Sequence, residues 1–500
     1  MNEKHLRSLS IFYLLAPNLL FFTSWVNMPI GVAGIIVLLY LSLKEVKDAS
    51  FGAVKILDTS DLLTIGFASV FLTVVSGING YVFQNVDYWA HNVKFYELLT
   101  HKWPIRIPAD GPVISYYYGF YVIPALASKL TGAVNETFIF LWTWLGLSIG
   151  IAWLYVVLNK KILFVWLTLC IGDLPRVIKS FLSIFSVRLY EFGNFGIENW
   201  SNFENLLWVP NQIIPTLIIG GMFVYVLMKR LQIDLLVLPI ALSFWWAVFP
   251  AFVCGLLVGG LVVRGWFQAR FQIRLSEAFN RVIIPFLVCL PVLIFYLSHD
   301  GELVSGFLWE FTSNPANSFA EYLVNIVINA VLFLTAYLYF RRIGLPSLTQ
   351  IPFFCIVFLQ LFFPIYRLGE VSDFLFRGMM PFLLIIGLYL FYPLTRDGFK
   401  ATYSLLRSSG WGMFLTSMLV LSSVTGTTQL YRAARINRLS DNQGVKFEPI
   451  PYDAYANVYE VIKAKWSPEG ADQYLGNAGS FYEKYMAPDL RKGTATKRQE

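Results

Sequence analysis

The sequence predicts an all-α polytopic membrane protein with about 12–13 transmembrane helices. Three observations lead there. Apolar residues make up 57% of the 500 residues and charged residues 14%, against about 45–50% and about 25% in soluble domains. The apolar residues fall in long runs broken by short polar segments. The lysines and arginines cluster at run ends that can all face one side, as cytoplasmic loops require. A soluble globule could not hide 44 Phe, 27 Tyr and 15 Trp behind so few charges. The net charge of +7 is modest and no long basic run lies in the apolar part, so nucleic acid is not an expected partner.

In chain order, the expected spans are 9–25, 28–43, 62–79, 137–158, 162–173, 210–228, 232–249, 251–264, 282–298, 320–340, 346–364, 374–394 and 411–430. The charged start, Met1 to Arg7, resembles a secretory leader. No small-residue cleavage site follows and a second apolar run begins at Met28, so a retained first span with a cytoplasmic N-terminus is expected. Segment 115–131 is interrupted by Tyr116, Tyr117, Tyr118, Pro124 and Lys129. If it crossed, Lys160 and Lys161 would face outward. If it dips and returns, those lysines and Lys229, Arg230, Arg264, Arg270, Arg274, Arg281, Arg341, Arg342, Arg396, Lys400 and Arg407 all face the cytoplasm. A re-entrant segment is therefore expected, with 80–114, 174–209, 299–319 and 365–373 together on the outer face. Cys170, Cys254, Cys289 and Cys355 sit inside apolar runs and read as buried thiols.

The composition divides the chain into a transmembrane domain, 1–430, and a polar extension, 431–500. The first major outer loop of the domain, 80–131, carries amphipathic and re-entrant helices. The extension holds eleven Lys/Arg and nine Asp/Glu, with six tyrosines between Tyr452 and Tyr485. It is expected on the extracytoplasmic side, too short for a large core of its own, with Arg491 to Glu500 disordered.

Three stretches carry candidate chemistry. After the third span, Trp89, Val93, Tyr96 and Leu99 recur at helical spacing while Asp87, His91, Lys94 and Leu98 share another face, and Pro104 ends the element. This is the pattern of an interfacial helix lying at headgroup level. Asp87 on this pattern is either a helix N-cap or a functional carboxylate, with His91 four residues on. A metal pair from His91 and His101 lacks an obvious third ligand. In the second stretch, Arg367, Glu370 and Asp373 form a tight outer loop and Arg377 lies inside the next span. An arginine at membrane depth costs about 2.5–3.5 kcal/mol on insertion scales, so it marks either an ion pair, here with Asp373 four residues before, or a site for a phosphate. The third stretch runs from Arg188 to Gln212, where amides interleave with aromatics such as Trp208. Such a mixture suits hydroxyl-rich ligands and equally a solvated loop. Tyr117 and its neighbours could line a groove or anchor the interface. No nucleotide loop, zinc-protease pair or serine-hydrolase elbow is present.

The stretch Asp87-Tyr88-Trp89-Ala90-His91-Asn92, with Trp103-Pro104 and the tyrosines after it, resembles the first outer loop of the GT-C superfamily of membrane glycosyltransferases. Ser372-Asp373-Phe374-Leu375-Phe376-Arg377 resembles a loop-to-helix motif in its bacterial members. The likeness covers about residues 1–430, although two spans, not one, precede the span leading into the acidic loop. It implies a multi-pass protein of the plasma (inner) membrane that transfers sugar from a polyprenyl-phosphate donor, with inversion, to an extracytoplasmic glycan, lipid or protein acceptor. It implies Asp87 as general base, His91 orienting Asp87 or contacting the phosphate, and Arg367 and Arg377 on the lipid phosphate, with Arg106 and Arg188 in reserve. Tyr88, Tyr117, Trp208, Gln212, Glu370 and Asp373 are the further expected substrate contacts. A single acid stands where some branches have two, so a divalent metal is left open. The competing expectations are an O-antigen polymerase or ligase, and a transporter or lipid flippase.

Overall fold

The computed structural model describes residues 1–489 except 48–49, 173, 186–198, 273, 302–303, 370–371, 432 and 434–447. The expectations placed on Arg188, Glu370 and the stretch Arg491 to Glu500 lie outside the described residues. Among the described residues, eight helices are long and apolar enough to cross a membrane: Glu3–Ser24, Met28–Lys47, Glu136–Val157, Pro210–Met228, Val248–Gln268, Leu275–Tyr296, Pro315–Arg342 and Phe374–Arg396. The protein is thus a mostly helical, multi-pass membrane protein in contact with lipid.

The remaining expected spans are helical but shorter. Thr59–Val75, Ile233–Ser243 and Gln350–Ile365 fall below that length, and Ile162–Cys170 and Gly410–Leu421 are shorter than a spanning helix needs. Two boundaries move for a local reason. The expected 232–249 run stops at Ser243, because Phe244 to Ala247 turn the chain beneath buried Trp245 and Trp246. The next helix then starts at Val248 and continues through Arg264, which composition alone reads as an end. Segment 115–131 contains the ten-residue helix Val122–Thr131, closed by Gly132 at φ +76°. Ten residues rise about 15 Å, half of the hydrocarbon thickness.

Pro210–Met228 and Phe374–Arg396 are buried on nearly every side, whereas Met28–Lys47 shows most of its surface to lipid. Glu136–Val157 packs tightly on Pro210–Met228 because glycines on each helix make room for large side chains of the other. A Cβ on Gly150 would stand 2.6 Å from Leu217, and one on Gly221 would stand 2.6 Å from Trp153. This is the small-residue contact that lets membrane helices approach closely.

The two ends of the bundle differ in chemistry. One end is laced by ion pairs between run ends, Lys229 with Glu3 at 3.1 Å, Lys160 with Asp61 at 2.5 Å, Arg281 with Asp234 at 3.5 Å, and Arg7 with Glu45. The opposite end carries the 76–121 loop, residues 199–209, the loop leading to Phe374, and the extension. A two-stranded antiparallel ribbon there pairs Ser305–Phe307 with Tyr366–Leu368.

Residues 448–489 form the short helices Val458–Lys465, Pro468–Asp472 and Phe481–Tyr485. They dock on the loops rather than forming a core of their own. Asn27 N–H donates to Met486 O at 2.7 Å, Ser115 N–H to Tyr474 O at 2.9 Å, and Asp300 N–H to Leu475 O at 2.7 Å. The Tyr482 hydroxyl donates to Trp25 O.

Candidate active site

The helix Tyr88–Thr100 supplies the first wall of the site. Asp87 stands at its N-cap position, yet its carboxylate makes no cap hydrogen bond. Asn85 occupies the local donors instead, accepting from Asp87 N–H at 2.9 Å. Asp87 keeps some exposed surface, and no hydrogen bond from a described residue ends on its carboxylate. The N-cap account of this aspartate therefore does not apply.

His91 and Lys94 follow on the same face. His91 Nε2 lies 2.8 Å from Trp208 O, which can only accept, so Nε2 carries the proton. Nδ1 then accepts from the Tyr121 hydroxyl at 2.5 Å. Both ring nitrogens are engaged within the protein, so His91 neither orients Asp87 nor offers a nitrogen to a phosphate. Burial keeps this imidazole neutral, well below the usual histidine range. Lys94 Nζ donates to Tyr116 and Tyr121, each at 3.2 Å, and lies 4.4 Å from the centre of the Tyr116 ring.

The second wall is the start of the Phe374–Arg396 span. Its first turn, Phe374–Gly378, is π-helical, a local widening that recurs at functional sites. Arg377 Nη1 lies 2.8 Å from Asp373 Oδ1, with both side chains largely buried. The loop before it is built tightly around Asp373. Gly369 adopts φ +79°, and a Cβ there would stand 2.2 Å from Asp373 Oδ2.

These walls enclose a cavity of about 340 Å³. Asp87, His91, Lys94, Tyr116 and Tyr117 line one side, Asp373 and Arg377 another. Trp200, Asn205 and Trp208 enter from 199–209, and the extension closes the rim with Trp466, Gln473 and Tyr474. Tyr474 lies close enough to the Arg377 guanidinium to feel its charge. Burial pushes the Asp87 carboxyl up to about 6, with Arg377 and Lys94 pulling it back and Asp373 adding to the rise. Burial likewise brings the Lys94 ammonium down to about 7.

Of the residues expected from sequence, Asp87, His91, Tyr117, Trp208, Asp373 and Arg377 converge here. Others lie elsewhere. Tyr88 is fully buried, with its hydroxyl on Ser76 O. Arg106 pairs with Glu483 at 3.1 Å and donates to Gly111 O and Pro488 O. Arg367 sits in the ribbon, its Nε donating to Gly369 O and its guanidinium 4.5 Å from the Phe311 ring centre. Gln212 is buried in the Pro210–Met228 helix. None of these four lines the cavity. Sequence reasoning passed over Lys94 and Tyr474. Lys94 had a signal, since it lies seven residues after Asp87 on the face shared with His91. Among the described residues no group of three or more His, Cys, Asp and Glu side chains could hold a metal ion. Compared with protein-family models, curated proteins and solved structures, the chain matches none.

Proposed function

We propose that this protein is a membrane glycosyltransferase that moves a sugar from a polyprenyl-phosphate donor to a hydroxyl acceptor with inversion, as its resemblance to the GT-C superfamily implies. The observation that carries the proposal is one cavity lined by both a carboxylate, Asp87, without a hydrogen-bond partner among the described residues, and a buried guanidinium, Arg377. Inverting transfer needs a base and an anion stabiliser in one chamber. The acceptor oxygen attacks the anomeric carbon as the bond from that carbon to the phosphate oxygen breaks. Asp87 takes the acceptor proton. The departing phosphate leaves with the bonding pair, and Arg377 stabilises its new charge. A base that titrates near 6 is largely ionised at neutral pH and still basic enough to draw a proton in the transition state.

The sidedness of the charges supports an extracytoplasmic cavity. Helices that begin beside it, Pro210–Met228 and Phe374–Arg396, finish at Lys229 and Arg396. By the positive-inside rule those basic ends belong to the cytoplasm, which leaves the cavity on the outer side of the membrane.

The test is Asp87→Asn, assayed in membranes against a panel of polyprenyl-phosphate-linked sugars. Among the described residues the carboxylate holds no structural hydrogen bond, so the variant should fold and insert normally. Loss of a general base should lower transfer by about 10²–10⁴-fold. Full transfer by a correctly inserted Asp87→Asn protein would remove the proposal.

A further inference from the structure

Lys94 is the cavity cation whose charge the protein itself balances least. Its residue is 1% exposed, and its ammonium is held only by neutral partners. Two of its three donors go to the Tyr116 and Tyr121 hydroxyls at 3.2 Å. The Tyr116, Tyr121 and Tyr117 rings lie with their centres 4.4, 4.6 and 5.4 Å away. Among the described residues no carboxylate lies within ion-pair distance of it. Arg377, by contrast, has Asp373 at 2.8 Å. A buried ammonium with a donor to spare, on the wall of a cavity, is built to meet an anion that arrives from outside.

We propose that Lys94 is a second phosphate contact that takes up a proton from solvent as an anionic lipid phosphate enters, which makes donor binding depend on pH. The proposal rests on the lipid-phosphate reading above and deepens it. Every charged or titratable group around the cage bears on this behaviour. On its own helix, Asp87 and the ionised form of Glu97, whose carboxyl burial raises to about 7, favour the ammonium, while His91 stays neutral. Glu97 spends its oxygens elsewhere, accepting from the Tyr118 hydroxyl at 2.7 Å and from Val458 N–H at 2.6 Å. From 113–121 come the phenols of Tyr116, Tyr117 and Tyr121. From the Phe374 span come Arg377, which opposes a second positive charge, and Asp373, which offsets Arg377. From the extension comes Tyr474, close to Arg377. Burial outweighs the favourable charges and sets the ammonium near 7. A phosphate oxygen beside it adds negative charge and raises that value, so binding and protonation reinforce each other.

The test uses the full chain in detergent micelles and methyl farnesyl phosphodiester, a probe whose single charge does not titrate near neutrality. Farnesol is the neutral control. With the ammonium near 7, linkage weakens wild-type binding about five-fold from pH 7 to 8 and about ten-fold from pH 8 to 9. Calorimetry at pH 8 in two buffers of different protonation enthalpy should read proton uptake on binding. Lys94→Arg should bind without that pH dependence or uptake, because guanidinium stays charged. Lys94→Met leaves no buried charge to satisfy. It should bind weakly, with no pH dependence between pH 7 and 9. Proton uptake that persists in Lys94→Met, or wild-type binding that is flat with pH, overturns the Lys94 proposal and leaves the transferase reading standing. Failure of the diester to bind at any pH, or farnesol binding equally well, overturns both.

Discussion

Replacing Glu483 with alanine should loosen the extension from the rest of the chain and open the cavity. One Glu483 oxygen takes Arg106 Nη1 at 3.1 Å and the other takes Val113 N–H at 2.6 Å. The two charged side chains are 8% and 11% exposed, so the pair is largely shielded from water. Removing one partner of a buried pair costs about 3–5 kcal/mol, because the other charge is left unmatched. Arg106 keeps Gly111 O at 2.8 Å and Pro488 O at 3.3 Å, which offsets part of that cost. The orphaned Val113 N–H adds about 1–3 kcal/mol. Near the lower end, about 3 kcal/mol favours local opening by more than a hundred-fold. Hydrogen exchange read by mass spectrometry should therefore speed up by that factor over Phe481–Tyr485 and Val458–Lys465. Exchange in Phe399–Arg407, far from the extension, should not change. Arg106→Ala combined with Glu483→Ala should cost less than the two single changes summed, since neither charge is then stranded. Unchanged exchange in the extension would refute the docking argument. A uniform rise across the chain would show that the pair holds the whole fold and not the lid.

Two further outcomes follow from the cavity. Asp373→Asn strands the Arg377 guanidinium in a largely buried position and should destabilise the protein by about 3–5 kcal/mol, read as a lowered melting temperature in detergent. Asp373→Leu with Arg377→Met should recover most of that stability while abolishing transfer. The pH profile of transfer should lose its acid side near pH 6. Asp87 must be ionised to act, its folded-state value is raised to about 6 by burial, and so activity is present above that value and falls about tenfold per pH unit below it. An acid limb near pH 4 would show that Asp87 is not the titrating base.

Much of the helical architecture was legible because lipid solvation leaves a simple signature, long apolar runs ended by charge. That signature failed where the end of a helix is set by packing. Trp245 and Trp246 are as apolar as a span interior, so nothing in composition says that the chain turns there, and Arg264 marks no end because the helix carries it onward. The same split runs through the site. Asp87 and Arg377 stood out because an acid and an arginine beside lipid demand a reason. Lys94 shares the helix face of Asp87 but looks like an interfacial lysine until the tyrosines of 116–121 are seen to enclose it. Tyr474 has no signal at all, being one of the six tyrosines between Tyr452 and Tyr485.

The arginines show why charge alone could not finish the task. Arg106 and Arg377 are the same residue type near the same loops, and sequence offered both for the phosphate. Arg106 meets Glu483, distant by 377 positions, and two backbone carbonyls, so its donors are committed to holding the extension in place. Among the described residues Arg377 pairs with one carboxylate and Lys94 donates to two phenols, so each retains donors beside the cavity. Remaining hydrogen-bonding capacity, which only the folded chain reveals, separates a group that binds a ligand from one that binds the protein. On that criterion Arg377 with Lys94 is the proposed anion site, and Arg106 holds the extension in place.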